Sequence, residues 1–424
     1  MNSLPDQSSA AHAEHPGKRR WWVPAALFVS LLIGYINRID ISFALPAMAQ
    51  ELAWSPAQVG RYGGVLLGLF FVCYGISNMM LSPLAARWGP RKSLIAIVVG
   101  FSVATLIGAP LGGSIIAFAF ARGLLGIAQG PHIPMMNTVT KYWFPPGERS
   151  RANGIWISGM LLAPLVAPII LVPIIRFGGW RMMFLIVGLC GVVLSVPLLW
   201  AFVYDAPRQS RWLRTAETDY IESQLEPAID KEDWTFLRLP DFWMALAGGI
   251  LNNFCVFGIM FWLPVYFTEG RGLPFADLWY AASLPYVVGV AGIAVMAGLG
   301  DATNRRALIA GAGFVLTAIV VYLAAITPSL AFAIACFTAG VFFQTAYGAQ
   351  EFALLQRILP RNNISRGAGI YNGIAVLLGG CGSSIAVGGS VSFTGSYTAG
   401  LFLIVGCSLA AAVTLSILAR RLKY

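Results

Sequence analysis

The chain has 424 residues, of which 58% are hydrophobic and only 11% charged. A soluble domain carries roughly 25% charged residues, so a soluble enzyme or nucleic-acid-binding protein is all but excluded. The formal net charge of +10 reads first as membrane topology, because Lys and Arg gather in the inner loops of multi-pass proteins.

A crossing takes about 20 apolar residues, and the hydrophobic runs predict twelve of them in chain order. They lie near 21–46, 56–84, 92–111, 114–138, 150–175, 181–204, 241–267, 275–299, 307–327, 329–355, 366–389 and 396–419. No pattern of alternating ten-residue segments suggests a barrel, so the expected class is an all-α integral membrane protein. Residues 1–20 form a polar tail ending in Lys18, Arg19 and Arg20, without a cleavable signal pattern. One stretch breaks the rhythm: residues 205–240 are hydrophilic, carry both signs of charge and separate two groups of six spans. The predicted organisation is a tail (1–20), a first six-helix half (21–204), a central loop (205–240), a second half (241–419) and a short tail (420–424).

Charge placement orients this layout. Of the 28 Lys and Arg residues, Arg61, Arg176, Arg181 and Arg271 fall on one side, Arg38 and Arg122 fall inside spans, and the rest fall on the other side with both termini. The positive-inside rule then makes both termini cytoplasmic and predicts an inner membrane. It also accounts for most of the net charge without a nucleic-acid partner. Trp21, Trp22, Trp88, Trp143, Trp180 and Trp243 sit at span ends and are expected as interfacial anchors. Cys73, Cys190, Cys255, Cys336, Cys381 and Cys407 are scattered singly through apolar runs, and His12 and His15 lie in the tail. No metal site or cofactor is expected.

An internal repeat supports the two halves. SPLAARWGPRK from Ser82 and AGLGDATNRR from Ala297 both place small and then basic residues after the second span of a half. Parallel halves around a cavity place a substrate near the midplane. Three further stretches carry a family likeness: YINRIDISFALP (Tyr35 to Pro46), RGLLGIAQGPHIP (Arg122 to Pro134) running on to KYWFPPGERSRANG (Lys141 to Gly154), and GGWRMMFLIVGLCG from Gly178. With these motifs the chain resembles the major facilitator superfamily, and within it the anion:cation symporter family of sugar-acid and other organic-anion carriers. The likeness covers nearly the whole chain and is looser in the second half, at WLPVYF (Trp262 to Phe267) and GAGIYNGIAVLLGG (Gly367 to Gly380). It implies transport of a small organic anion by alternating access, with proton-coupled uptake as the family default.

Arg38 is the sharpest residue. A charge in mid-span costs several kcal/mol unless it is paired or faces water, and a guanidinium matches a carboxylate; the resemblance links this position to anion binding. Arg122 is the second such charge, two helical turns before Gln129 on one helix face. The sequence departs from the family pattern at the two coupling carboxylates: Asn37 and Gln129 stand where aspartate and glutamate are usual, and an amide does not titrate. Asp40 (as a partner of Arg38), Glu351 and His132 are the remaining candidates for a proton site. With Arg38, Arg122, Asn37 and Gln129, the residues Tyr35, Asn252, Tyr286, Gln344, Tyr347 and Asn372 are candidate cavity residues that bind and orient a substrate. The inner motif departs too, with Ala86 in place of the usual aspartate before Arg87, Gly89, Arg91 and Lys92, whereas the second copy keeps Asp301 with Arg305 and Arg306. A weaker first-half latch follows. The expected partners are a small organic anion, H+ and the lipid bilayer, with the chain a monomer. Exchange or facilitation without protons, and efflux of an amphiphile, are the alternatives.

Overall fold

The computed structural model describes residues 17–225, 234–359 and 364–422. His12, His15, Lys231, Arg361, Lys423 and most of the 1–20 tail fall outside these residues, and so does the side chain of Arg366. The fold is helical: α1 (Trp22–Glu51), α2 (Pro56–Trp88), α3 (Pro90–Leu111), α4 (Ile115–Gln129), α5 (His132–Trp143) and α6 (Pro146–Cys190). A π-helical turn (Gly191–Ser195), α7 (Val196–Phe202) and the short α8 (Thr215–Ser223) follow. The second half contains α9 (Pro240–Val265), α10 (Leu278–Thr303), α11 (Arg306–Ile326), α12 (Leu330–Ile358), α13 (Ile364–Thr394) and α14 (Tyr397–Arg421).

Ten helical stretches among the described residues are long and apolar enough to cross a membrane. Twelve crossings emerge once two local features are read. The fourth expected span is broken at Gly130–Pro131 into α4 and α5, since proline has no N–H to give the preceding turn. The fifth and sixth form one continuous 57-residue stretch, Pro146–Phe202, which turns at Gly179 with φ 78°. That left-handed backbone is open to glycine at little cost.

Sequence sets the other junctions. Ser55 caps α2 in a reciprocal box with Gln58, ahead of Pro56. The two repeat motifs form matching junctions: α2 passes to α3 through Gly89 (φ 95°), and α10 to α11 through Asn304 (φ 55°), the two residue types that take this conformation most readily.

The first and last described residues lie at one end of the bundle, the termini end. There Arg20 binds Glu148 (2.7 Å) and Glu217 (2.9 Å), and Arg421 pairs with Asp241. Glu217 belongs to α8, so this helix of the central segment docks against the first half. Trp22, Trp88 and Trp243 are exposed as anchors should be, but Trp143 and Trp180 are buried. Trp143 donates to the Tyr204 carbonyl and stacks on Trp212, and Trp180 donates to Glu51; hydrogen bonds inside the bundle take the place of an interfacial position.

The two halves meet at the end opposite the termini. Helices α2 and α13 approach backbone to backbone: a Cβ on Gly60 would lie 2.5 Å from the Gly388 carbonyl oxygen, and one on Gly388 the same distance from that of Gly60. Ser283 on α10 donates to Leu165 O on α6 at 3.0 Å. Phe71 of α2 packs against α9, tilted to the Phe257 ring and edge-on to that of Phe261.

Candidate functional site

A cavity of about 270 Å³ lies between the halves. Its first-half wall is made by Tyr35 and Arg38 of α1, Tyr74 of α2, Ile133 of α5, and Met160, Leu161 and Pro164 of α6. The facing wall carries Asn252 and Asn253 of α9, Tyr286 of α10, Gln344, Thr345, Gly348 and Glu351 of α12, and Asn372 of α13, among apolar residues such as Val256, Phe257 and Met260. Gly348 is exposed as well as lining the cavity, so the cavity opens toward the termini while the opposite end is closed.

Arg38 is 3% exposed. Its guanidinium stacks on three rings, with Cζ 4.3 Å from the Tyr35 centroid, 4.6 Å from Tyr74 and 5.2 Å from Phe70. Its hydrogen bonds run from Nε and Nη2 to Gln129 Oε1 at 3.4 and 3.3 Å. Among the described residues no carboxylate pairs with it. A buried charge held by ring faces and one neutral oxygen retains unused donor capacity.

The expected Asp40–Arg38 pair does not form. Asp40 Oδ1 accepts from Arg122 Nη1 at 2.9 Å. Residues two apart on a helix point to different sides, so when Arg38 faces the cavity Asp40 faces α4. Arg122 also donates to the carbonyls of Asn37 (3.3 Å) and Arg38 (3.1 Å), fastening α4 to α1. Gln129, two turns along, donates to Gly34 O at 2.8 Å.

Four of the candidate cavity residues stand behind the wall. Asn37 donates to Ile33 O and accepts from Thr105 Oγ1 at 2.7 Å. Arg122 and Gln129 bind α1, and Tyr347 hydrogen bonds to Tyr371 at 2.5 Å. Tyr35, Arg38, Asn252, Tyr286, Gln344 and Asn372 are in the wall itself. Of the proton-site candidates, His132 is buried 3.0 Å from Ser30 Oγ and against Phe101, Asp40 is buried with Arg122, and Glu351 lines the cavity. Tyr371 donates to Glu351 Oε1 at 2.9 Å. Among the described residues the Tyr286 hydroxyl and Gln344 Nε2 have no hydrogen-bond partner, leaving two polar groups in the wall for a ligand.

Sequence reading passed over Tyr74, Thr345 and Tyr371. Tyr74 stands out as a phenol in an apolar run, and Tyr371 adjoins Asn372 in a stretch already singled out; both signals were present. In the inner motifs, Arg91 stacks on Tyr204 and its backbone N–H donates to Asp205 Oδ1 at 2.8 Å, with Asp205 set against Gly89. Arg87 is exposed. Of the two arginines that follow Asp301, Arg306 pairs with it at 2.6 Å and continues to Gln350 Oε1.

A model of the family described as Major Facilitator Superfamily matches residues 26–384. The chain is 24% identical over 402 residues to a D-galactonate transporter of Escherichia coli O6:H1, covering 89% of this chain and 90% of the relative. It is 25% identical to a hexuronate transporter of Bacillus subtilis, covering 90% of each. A probable sulfoacetate transporter of Cupriavidus necator shares 27% over 68% of this chain and 66% of its own length. In structure, the chain is similar to a bacterial homologue of the human lysosomal transporter Spinster in an inward-facing, occupied conformation, with TM-score 0.76, 18% identity and 96% of both chains covered. A D-xylose-proton symporter aligns with TM-score 0.73 at 16% identity, over 93% of this chain and 96% of the symporter. At these identities the structural likeness speaks for the fold.

Proposed function

Because this chain belongs to the Major Facilitator Superfamily, as a multi-pass transporter and not an enzyme, we propose that it carries a small organic anion, a carboxylate, through the central cavity by alternating access. The observation that carries the reading is Arg38: a buried guanidinium on the cavity wall, stacked on Tyr35 and Tyr74, with no carboxylate partner among the described residues. A desolvated cation of this kind is stabilised by an anionic ligand, and the planar fork accepts a carboxylate in two parallel hydrogen bonds. Tyr286, Gln344, Asn252 and Asn372 would then orient the rest of the molecule from the opposite wall. Relatives named for galactonate, hexuronate and sulfoacetate transport support an anionic cargo. The basic residues on the termini side support an inner-membrane protein with cytoplasmic termini, and with them a cavity open to the cytoplasm in this conformation. With the cavity enclosed by the two halves of one chain, the reading is of a monomer.

Proton coupling and anion exchange part at Asn37 and Gln129, whose amides hold no exchangeable charge. Exchange is therefore the second reading of the same site.

The test is a thermal-shift screen of the purified protein with D-galactonate, D-glucuronate, sulfoacetate and phthalate, repeated on Arg38→Ala and Arg38→Lys. A ligand that binds the native state raises the apparent Tm. A carboxylate shift in the native chain that vanishes in Arg38→Ala and is weak in Arg38→Lys is expected. A carboxylate shift of full size in Arg38→Ala, or stabilisation by cationic amphiphiles with none by anions, overturns the reading.

A further inference from the structure

If the protein moves an anion together with a proton, a group on the cavity wall must gain and lose that proton, and the first half offers none. Asn37 and Gln129 are amides, Asp40 is held by Arg122 behind the wall, and His132 is buried against Ser30 and Phe101. Among the described residues Glu351 is the one carboxyl that lines the cavity.

Its surroundings suit two protonation states. Tyr371 of α13 donates to Glu351 Oε1 at 2.9 Å, and the hydroxyls of Tyr371 and Tyr347 lie 2.5 Å apart with either one able to donate. Tyr347 in turn reaches the Ala245 carbonyl of α9 at 3.5 Å. With a charged Glu351 the chain points toward it: Tyr347 donates to Tyr371, and Tyr371 to the carboxylate. With a protonated Glu351 the chain reverses: the acid donates to Tyr371, Tyr371 to Tyr347, and Tyr347 to the Ala245 carbonyl. Tyr371 keeps a donor and an acceptor role in both directions, and Tyr347 donates in each. Gly249 makes this possible, since a Cβ there would lie 2.3 Å from the Tyr371 hydroxyl oxygen. Tyr371 from α13 donates to Glu351, and Tyr347 precedes it by one turn on its own helix. The polar groups that share the cavity with it are Tyr35, Tyr74 and Arg38 from the first half and the neutral Asn252, Asn253, Tyr286, Gln344, Thr345 and Asn372 from the second. No cation is within ion-pair range among the described residues, and Arg38 stands on the wall of the other half.

We propose that Glu351, through the Tyr371–Tyr347 hydroxyl pair, is the proton-binding site of this transporter, placed in the second half. The proposal rests on the anion-transport reading above. A proton from water on the uptake side neutralises the Glu351 carboxylate, which removes a like charge from the cavity as the anion docks at Arg38. After the halves rock, the anion leaves, and the proton passes to water on the other side. No covalent bond forms or breaks beyond the O–H of the acid.

The experiment uses the full chain in liposomes, with labelled D-galactonate, D-glucuronate, sulfoacetate and phthalate as probes and an internal pH dye. The readout is the number of protons moved per anion. A ratio above zero in the native chain that falls to zero in Glu351→Gln, while Glu351→Asp and Asp40→Asn still move protons, is the expected result. Tyr371→Phe should slow proton movement without removing it. An unchanged ratio in Glu351→Gln overturns the proposal, as does loss of proton movement in Asp40→Asn with anion exchange intact. So does a Glu351→Asp protein as inactive as Glu351→Gln, which would assign the carboxyl to substrate contact or to structure. A native chain that exchanges these anions without moving protons refutes the proton site and leaves anion transport standing. A native chain that exchanges none of them refutes both.

Discussion

Arg122 and Asp40 hold the first half together from within. Their side chains are 4% and 0% exposed, and removing one partner of such a pair leaves an uncompensated buried charge, a loss of about 3–5 kcal/mol. Asp40→Ala and Arg122→Ala should each lower the Tm of the purified protein markedly, and the double variant should lose less than the two added together. Additive losses would mean that the pair is not coupled. Both charges were legible in the sequence as isolated ions in apolar runs, but their pairing was not. Asn37, Arg38 and Asp40 are close in sequence yet face α3, the cavity and α4 in turn, because each residue of a helix is rotated by roughly 100° from the last. Without the positions of α3 and α4 in space, those three directions have no meaning. Arg122 and Gln129, two turns apart, share one face of α4. That face meets α1 and stands behind the cavity wall.

At the scale of elements, apolar length gave the number of crossings and their order, because a bilayer imposes one length on all of them. It did not give the break between α4 and α5 or the continuous turn at Gly179, because a window of mean hydropathy is blind to backbone dihedrals. Nor did it reveal which glycines matter. In membranes, small residues allow helices to touch at backbone distance, and α2 and α13 use this at Gly60 and Gly388. Gly388→Leu would drive a side chain into the Gly60 carbonyl and against Trp262. The expected effect is separation of the halves at the end opposite the termini. It is checked by protease or labelling access to that end of α2, with Gly389→Leu, where a Cβ meets nothing within 4 Å, as the comparison. Equal access in the two variants would show that this contact does not close the halves.

The whole molecule is described in one of the conformations that alternating access requires: closed at Ser283–Leu165 and Gly60–Gly388, open beside Gly348. In the opposite conformation α2 and α13 must part there and approach at the termini end, where α2 finishes beside the exposed Ala86 and α13 begins. The N-terminus of a helix carries partial positive charge and attracts an anion, for about 0.3–1 kcal/mol. Alanine at 86 forgoes that attraction, and Asp205 is already engaged with the α3 N-terminus through Arg91 N. Ala86→Asp should therefore favour the conformation closed at the termini end. The check is a cysteine-free variant with Ser283→Cys, a position 5% exposed here that becomes accessible when the opposite end opens. Its reaction with a membrane-impermeant maleimide should quicken when Ala86→Asp is added. An unchanged rate would mean that the junction after α2 takes no part in the balance between the two conformations.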